Sequence, residues 1–247
     1  MSNLSDMHIH IDYFKNYQQF YNSFENNKIY ALFVTNLPEI FRKCNNEFAY
    51  SKYVKLSLGY NPQLAGKYKF NQDLFDELLP LTKYVGEVGL DYSKGFVHSK
   101  IEQQKAFDYI CSKSAQTKKI MSIHSRGAEE DVLEILKDNK VEYAVFHWFS
   151  GNKKIAYDII DQGYYFSVNY SMLVSKKGYD IVKSLPLDRL LLETDAPFAK
   201  TSMKGNSYNL AEIYSEFSRK LNIEKFEELI YKNLMDLLLK QKNSFTS

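Results

Sequence analysis

Asp6-Met7-His8-Ile9-His10 lies near the start of the 247-residue chain, and its reading decides the fold. In an extended segment residues two apart point to the same face, so His8 and His10 aim both imidazoles at one spot. Neutral imidazole binds zinc, manganese, iron or nickel well, and two on one stiff strand lose little entropy when a metal arrives. Alone, a His-x-His pair is a weak pattern. It gains weight only if the chain brings further donors to the same end of similar strands.

Downstream, the sequence repeats one alternation. After the strand over 4–10 comes a helix over 17–24 with apolar residues at helical spacing. Residues 30–35 form a nearly continuous apolar run of the sort buried on both faces, and Asn36-Leu37-Pro38 breaks it and opens another helix. Further strands are predicted over 54–58, 84–89, 120–124, 141–147, 164–168 and 189–195. Helices are predicted over 73–79, 100–115, 128–136, 155–160 and 180–185, with two more over 210–221 and 224–239, the last of them amphipathic enough to serve a partner. Eight strands alternating with helices, without a Ser- or Gly-rich linker, read as a single parallel α/β domain over 1–247. Eight is also the number that closes a (β/α)8 TIM-type barrel, whose active sites lie at the C-terminal ends of the strands. An open doubly wound sheet is the competitor, but its Gly-rich phosphate fingerprint is missing after the first strand.

Composition narrows the function classes. The chain is 45% hydrophobic and 25% charged, ordinary for a globular protein with a substantial core. A net charge of +2 gives no global basic field, so an anionic substrate must be met by locally placed lysines. Cys44 and Cys111 show no zinc or redox spacing and read as reduced thiols of a cytosolic protein. No apolar run approaches a membrane span and no leader pattern precedes His8, so neither membrane insertion nor secretion is expected.

The metal-capable residues fall on one rim of the expected barrel. His8 and His10 end the first strand, Glu87 sits near the end of the fourth, His124 ends the fifth, His147 the sixth and Asp195 the eighth. Four of the five histidines are there, and only His98 is left for a surface role. Six donors exceed what one tetrahedral ion needs, so two divalent ions (magnesium, manganese or zinc) sharing a carboxylate are expected. Glu87 is the candidate bridge, with His8, His10 and Asp195 on one ion and His124 and His147 on the other. Two such ions, about 4 Å apart, can activate a water and stabilise a leaving oxygen at phosphorus.

These stretches also carry a resemblance. Asp6 to His10, Gly86-Glu87-Val88-Gly89-Leu90-Asp91, Ile123-His124-Ser125-Arg126, Phe146-His147-Trp148-Phe149-Ser150-Gly151 and Leu192-Glu193-Thr194-Asp195-Ala196-Pro197 resemble, in order, the motifs of the TatD-related DNases. The resemblance implies a metal-dependent (β/α)8 hydrolase of the amidohydrolase-like group acting on DNA phosphodiesters, often as an exonuclease. Ser122 to Arg126, His147 to Gly151 and Phe166 to Asn169 look most like the TatD-type nuclease of Qat anti-phage defence systems, which implies defence-system protein partners. Departures bear on substrate preference. Gly59-Tyr60-Asn61-Pro62 stands where many relatives have Gly-x-His-Pro, Gly127 follows Arg126 where an acidic residue is common, and the segment after Pro197 is lysine- and serine-rich.

The expected reaction is hydrolysis by a metal-activated water, with Asp195 or Glu87 accepting its proton and Arg126 joining the metals in stabilising developing charge. The planar fork of Arg126 suits phosphate oxygens, although a rim salt bridge with Glu129 or Glu130 would also account for it. Lys153, Lys154, Lys176, Lys177, Lys200 and Lys204 follow strands six to eight and can make an anion-attracting mouth. Trp148, Phe149, Tyr170 and Phe198 share that rim and can stack on bases of single-stranded or end-containing DNA. The rival enzyme reading is hydrolysis of a small amide or ester by the same ligand set. A non-catalytic nucleic-acid-binding assembly subunit is the third reading.

Overall fold

The computed structural model describes residues 4–48, 50–199 and 209–245. Strands β1 (Ser5–His10), β2 (Tyr30–Val34) and β3 (Val54–Ser57) pair in parallel in that order. Strands β4 (Tyr84–Gly89), β5 (Ile120–His124), β6 (Tyr143–His147), β7 (Tyr165–Val168) and β8 (Leu190–Leu192) form a second parallel run. Two seams join them. At one, Leu58 bridges Val85 and the Gly86 amide donates to the Leu58 carbonyl at 2.9 Å. At the other, Ile9 bridges Ala196, the Asp195 amide reaches the His8 carbonyl at 2.9 Å, and the His10 amide reaches the Ala196 carbonyl at 3.0 Å. Both edges are thereby used up and the sheet closes into the (β/α)8 barrel, which rules out the open sheet.

The connecting helices are α1 (Tyr17–Asn27), α2 (Pro38–Glu47), α3 (Gln72–Leu78), α4 (Lys100–Gln116), α5 (Glu129–Asp138), α6 (Lys153–Asp161), α7 (Tyr170–Val174) and α8 (Lys176–Val182), followed by α9 (Leu210–Leu221) and α10 (Phe226–Asn243). Their starts are written locally. Pro38 opens α2 where its missing N–H costs nothing, and the side chains of Asn71, Asn152, Asn169 and Asn209 cap α3, α6, α7 and α9 by accepting a backbone N–H.

Helix α10 determines which end of the barrel stays open. Its Leu234 and Leu237 pack with Met7, Leu32, Tyr84, Ile120, Val145 and Leu191 in one apolar cluster. The Asn233 amide donates to the carbonyls of Leu187 at 2.7 Å and Leu190 at 2.8 Å, and the Gln241 amide to those of Lys83 at 3.1 Å and Lys118 at 2.7 Å. These carbonyls lie at or just before the starts of β8, β4 and β5, so α10 plugs the N-terminal floor. The amphipathic face expected to serve a partner is therefore spent on the barrel itself. Among the described residues, no helix plugs the C-terminal rim, where the candidate ligands lie.

Three local expectations change. The eighth strand is shorter than 189–195, because Glu193, Thr194 and Asp195 leave the ladder and Asp195 turns into the left-handed region at φ 49°. Of the stretch 180–185 expected to lie in a helix, 180–182 end α8 and 183–185 fall beyond it, and the short α7 stands separately before α8 because the Asn169 and Ser175 side chains each cap a new start. Phe149 and Tyr170, expected at the rim, are buried in the main core at 1% and 7% exposure, so neither can stack on a base.

Candidate metal centre

The six expected donors meet above the strand ends. His8 Nε2 and His10 Nε2 lie 3.2 Å apart, confirming that the two imidazoles share a face. Asp195 Oδ1 completes a triangle at 3.3 Å from His10 Nε2 and 3.8 Å from His8 Nε2. A second triangle joins Glu87 Oε1 to His124 Nδ1 at 2.7 Å and to His147 Nε2 at 2.9 Å, with the two ring nitrogens 3.3 Å apart. Glu87 faces both, since its Oε2 is 3.4 Å from His10 Nε2. The triangles adjoin: the rings of His8 and His147 stack with centroids 3.9 Å apart, and His8, Glu87 and His147 offer ligand atoms within 4.8 Å of one another.

The donor set fits metal. Asp195 Oδ1 is buried without a hydrogen-bond partner among the described residues, while two imidazole nitrogens point at it. A divalent cation would satisfy all three at once, whereas an unpaired buried oxygen is costly.

The outward-facing nitrogens explain how the rings are held. His8 Nδ1 meets Ser122 Oγ at 2.8 Å, His124 Nε2 meets Asp91 Oδ2 at 2.9 Å, and His147 Nδ1 faces Glu193 Oε1 at 3.8 Å. The hydrogen bonds with Ser122 and Asp91 fix tautomer and orientation of the His8 and His124 rings, while Glu193 acts on His147 through charge. Asp91 is itself held by the Gln63 amide at 2.8 Å, and Glu193 by the Trp148 amide and the Asn169 side chain, both at 3.0 Å, and by the Ser167 hydroxyl. Asn61 donates to Glu87 Oε2 at 2.6 Å and to Asn36 Oδ1 at 2.8 Å, and Asn36 donates to Asp12 Oδ2 at 2.7 Å. Asp91, Glu193 and Ser122 sit inside the quoted motifs, and Asn61 stands where many relatives carry histidine. The signal was present, but sequence alone gave no reason to separate these residues from their neighbours.

Electrostatics follow the same map. Burial alone would push the imidazoles down, and at His8 it prevails, helped by the neighbouring His147 and His10. His147 is instead carried well above the ordinary histidine value by Glu193 and Glu87, His124 is raised by Asp91 and Glu87, and His10 is raised by Asp195, Glu87 and Asp12. Burial opposes ionisation of Glu87, yet His124 and His147 hold it well below the ordinary carboxylate value. Burial pushes Glu193 up against the pull of His147.

The remaining candidates are less converged. Arg126 is exposed and makes no side-chain ion pair or hydrogen bond with a described residue, so the salt bridge to Glu129 or Glu130 does not form and the arginine does not touch the donors. Lys153, Lys176 and Lys177 line a depression of about 500 Å3 beside α6 and α8, while Lys154 pairs with Asp158. Lys200 and Lys204 lie outside the described residues. Trp148 is half-buried, Phe198 is 53% exposed, and His98 is exposed as expected.

The sequence model of the family described as TatD related DNase matches residues 5–238. A TATDN1 homologue of Encephalitozoon cuniculi is 28% identical over 81% of this chain and 79% of its own length. An uncharacterized metal-dependent hydrolase of Methanocaldococcus jannaschii is 27% identical over 73% of this chain and 74% of its own. The crystal structure of YjjV, a TatD homologue of Escherichia coli, superposes with a TM-score of 0.80 at 21% identity, covering 96% of this chain and 98% of that one.

Proposed function

The chain belongs to the TatD related DNase family and is a metal-dependent hydrolase, and from this premise we propose that it hydrolyses DNA phosphodiester bonds from strand ends at a two-ion centre. The observation that carries the reading is the pair of donor triangles sharing Glu87. His8, His10 and Asp195 would hold one divalent ion, His124 and His147 the other, with Glu87 between them. When bound, such ions neutralise phosphate charge and acidify water.

The protein groups supply the rest. The Asp195 carboxylate, buried beside His8 and His10, is placed to accept the proton of the attacking water, with Glu87 as the alternative. Ser122 and Asp91 hydrogen-bond His8 and His124 and keep those rings aimed inward. Arg126, exposed and unengaged by any described side chain, is placed to reach a phosphate oxygen of a strand lying across the rim. The proposed setting is the cytosol, consistent with two free, buried thiols and no described helix long and apolar enough to cross a membrane. The anti-phage role with partner proteins rests on the motif resemblance alone.

The decisive experiment uses Glu87→Gln in purified, metal-reconstituted protein. Chelator-sensitive cleavage of end-labelled single- and double-stranded DNA should fall at least about 100-fold, as expected when a charged group at the reacting centre is neutralised. Survival at the wild-type rate would remove the bridging role. Turnover of amide substrates without any DNA binding would replace the nuclease reading altogether.

A further inference from the structure

Two large aromatic rings stand open beside the donors. Tyr13 ends the short 3-10 turn Ile11–Tyr13 that follows β1 and is 52% exposed, and Phe198 lies in the turn after β8 and is 53% exposed. Their ring centroids are 4.8 Å apart at 75°, forming a corner. Both meet the ring of His10 edge-on, at 5.9 Å for Tyr13 and 4.9 Å for Phe198. Among the described residues these are the exposed aromatics in ring contact with a candidate ligand. The Phe198 amide donates to the Asp195 carbonyl at 2.8 Å, so its backbone is fixed to the neighbouring ligand.

A corner of this kind has specific consequences. Two perpendicular rings seated on a histidine cannot bury each other's faces, and water gains little from contact with them. A flat, polarisable ligand can cover such a face while its attached phosphate lies toward His10 and Asp195. Nucleobases meet that description, and stacking on an aromatic side chain tolerates any base. A base inside a duplex is already covered on both faces by its neighbours, so only an unpaired base can use the corner.

Resting on the nuclease reading above, we infer that Tyr13 and Phe198 form a stacking platform for the unpaired base of the nucleotide next to the scissile phosphate. The platform makes single strands and frayed ends the preferred substrates. It also places the cleaved bond at a fixed step from the strand end, because the base must leave its stack before its phosphate reaches the donors.

The test uses single-stranded oligonucleotides carrying 2-aminopurine at either the 3′ or the 5′ terminal position, mixed with the protein before and after chelation. Stacking quenches this fluorophore whether or not cleavage occurs. Wild-type protein should quench it at one end, and Tyr13→Ala and Phe198→Ala should weaken that binding at least about five-fold, with metal content unchanged. Phe198→Trp should retain the quench and Phe198→Leu, which keeps apolar bulk without a flat face, should lose it. In cleavage assays the alanine variants should raise KM with little change in kcat, and an abasic nucleotide at the terminal position should erase their difference from wild type. Equal quenching by all variants, no quenching at either end, or an equal defect on abasic strands would overturn the platform. If wild-type protein quenches the probe but cleaves no DNA, the nuclease reading fails and the platform stands. If it cleaves DNA while the folded leucine and alanine variants match it on intact strands, the platform fails and the nuclease reading stands.

Discussion

Asp91 shows how much of this centre depends on residues that would touch no metal. Its Oδ2 sits 2.9 Å from His124 Nε2, and Glu87 occupies the other nitrogen of the same ring at 2.7 Å. Removing the charge while keeping the shape should loosen the ring without unfolding the barrel. Asp91→Asn should therefore weaken metal binding by roughly 10- to 100-fold in calorimetric titration, with circular dichroism unchanged. The six candidate donors could be grouped from sequence because each lies at or near a strand end and strand ends share a rim. Their outer partners could not, since a carboxylate such as Asp91, four residues beyond Glu87, can face either the site or solvent until the chain path is known. The same blindness applied to the aromatics: Phe149 and Tyr170 are indistinguishable from Phe198 by composition, and only the packing of α6 and α7 separates core from rim.

Among the elements, β4 and β5 are held unusually close. Gly89 has φ 140°, and a methyl group there would lie 1.9 Å from the His124 carbonyl oxygen. Gly89→Ala should thus combine a backbone conformation that side chains disfavour with a clash the neighbouring strand cannot avoid. A loss of at least about 2 kcal/mol in urea unfolding is expected, together with weakened metal binding because His124 must move. Strand positions were readable from sequence because buried parallel strands are short apolar runs between helix signals. The end of β8 was not, because Glu193-Thr194-Asp195 continues an extended pattern while the Thr194 amide and hydroxyl bind the Asp6 carboxylate, at 2.9 and 2.6 Å, instead of a sheet neighbour. The division into α7 and α8 was hidden for a similar reason, since caps by Asn169 and Ser175 outweigh the helical period that runs across them.

For the molecule as a whole, charge is placed rather than plentiful. With a net charge of +2, the proposed attraction to DNA needs locally placed cations, and Lys153, Lys176 and Lys177 line one depression beside α6 and α8. Replacing all three with alanine should weaken single-strand binding at every sequence and reduce the slope of log affinity against log salt by about 2. The barrel floor has its own pH limit. Burial pushes the Tyr84 phenol up to about 12, although its bond to Tyr30 pulls the other way, while an unfolded tyrosine ionises near 10. The neutral phenol is thus favoured by the folded state, so this stability is present below pH 10 and is lost as pH rises from about 10 through about 12. Urea titrations at pH 9 and pH 11 should show the fall, and Tyr84→Phe should lessen it, the rest coming from other buried phenols such as Tyr60 and Tyr164.

The seam between β1 and β8 gives the enzyme a sense of time. Asp6 and Thr194, which close it, are 188 positions apart in the chain, and the first donor triangle spans the same gap from His8 and His10 to Asp195. Contacts so distant in sequence carry a loop-closure entropy that folding must offset. A chain still emerging from the ribosome, or a barrel sprung open at this seam, holds two histidines with no aspartate to meet them. The first donor triangle is therefore complete only once the barrel has closed, and a half-made molecule lacks part of its candidate ligand set.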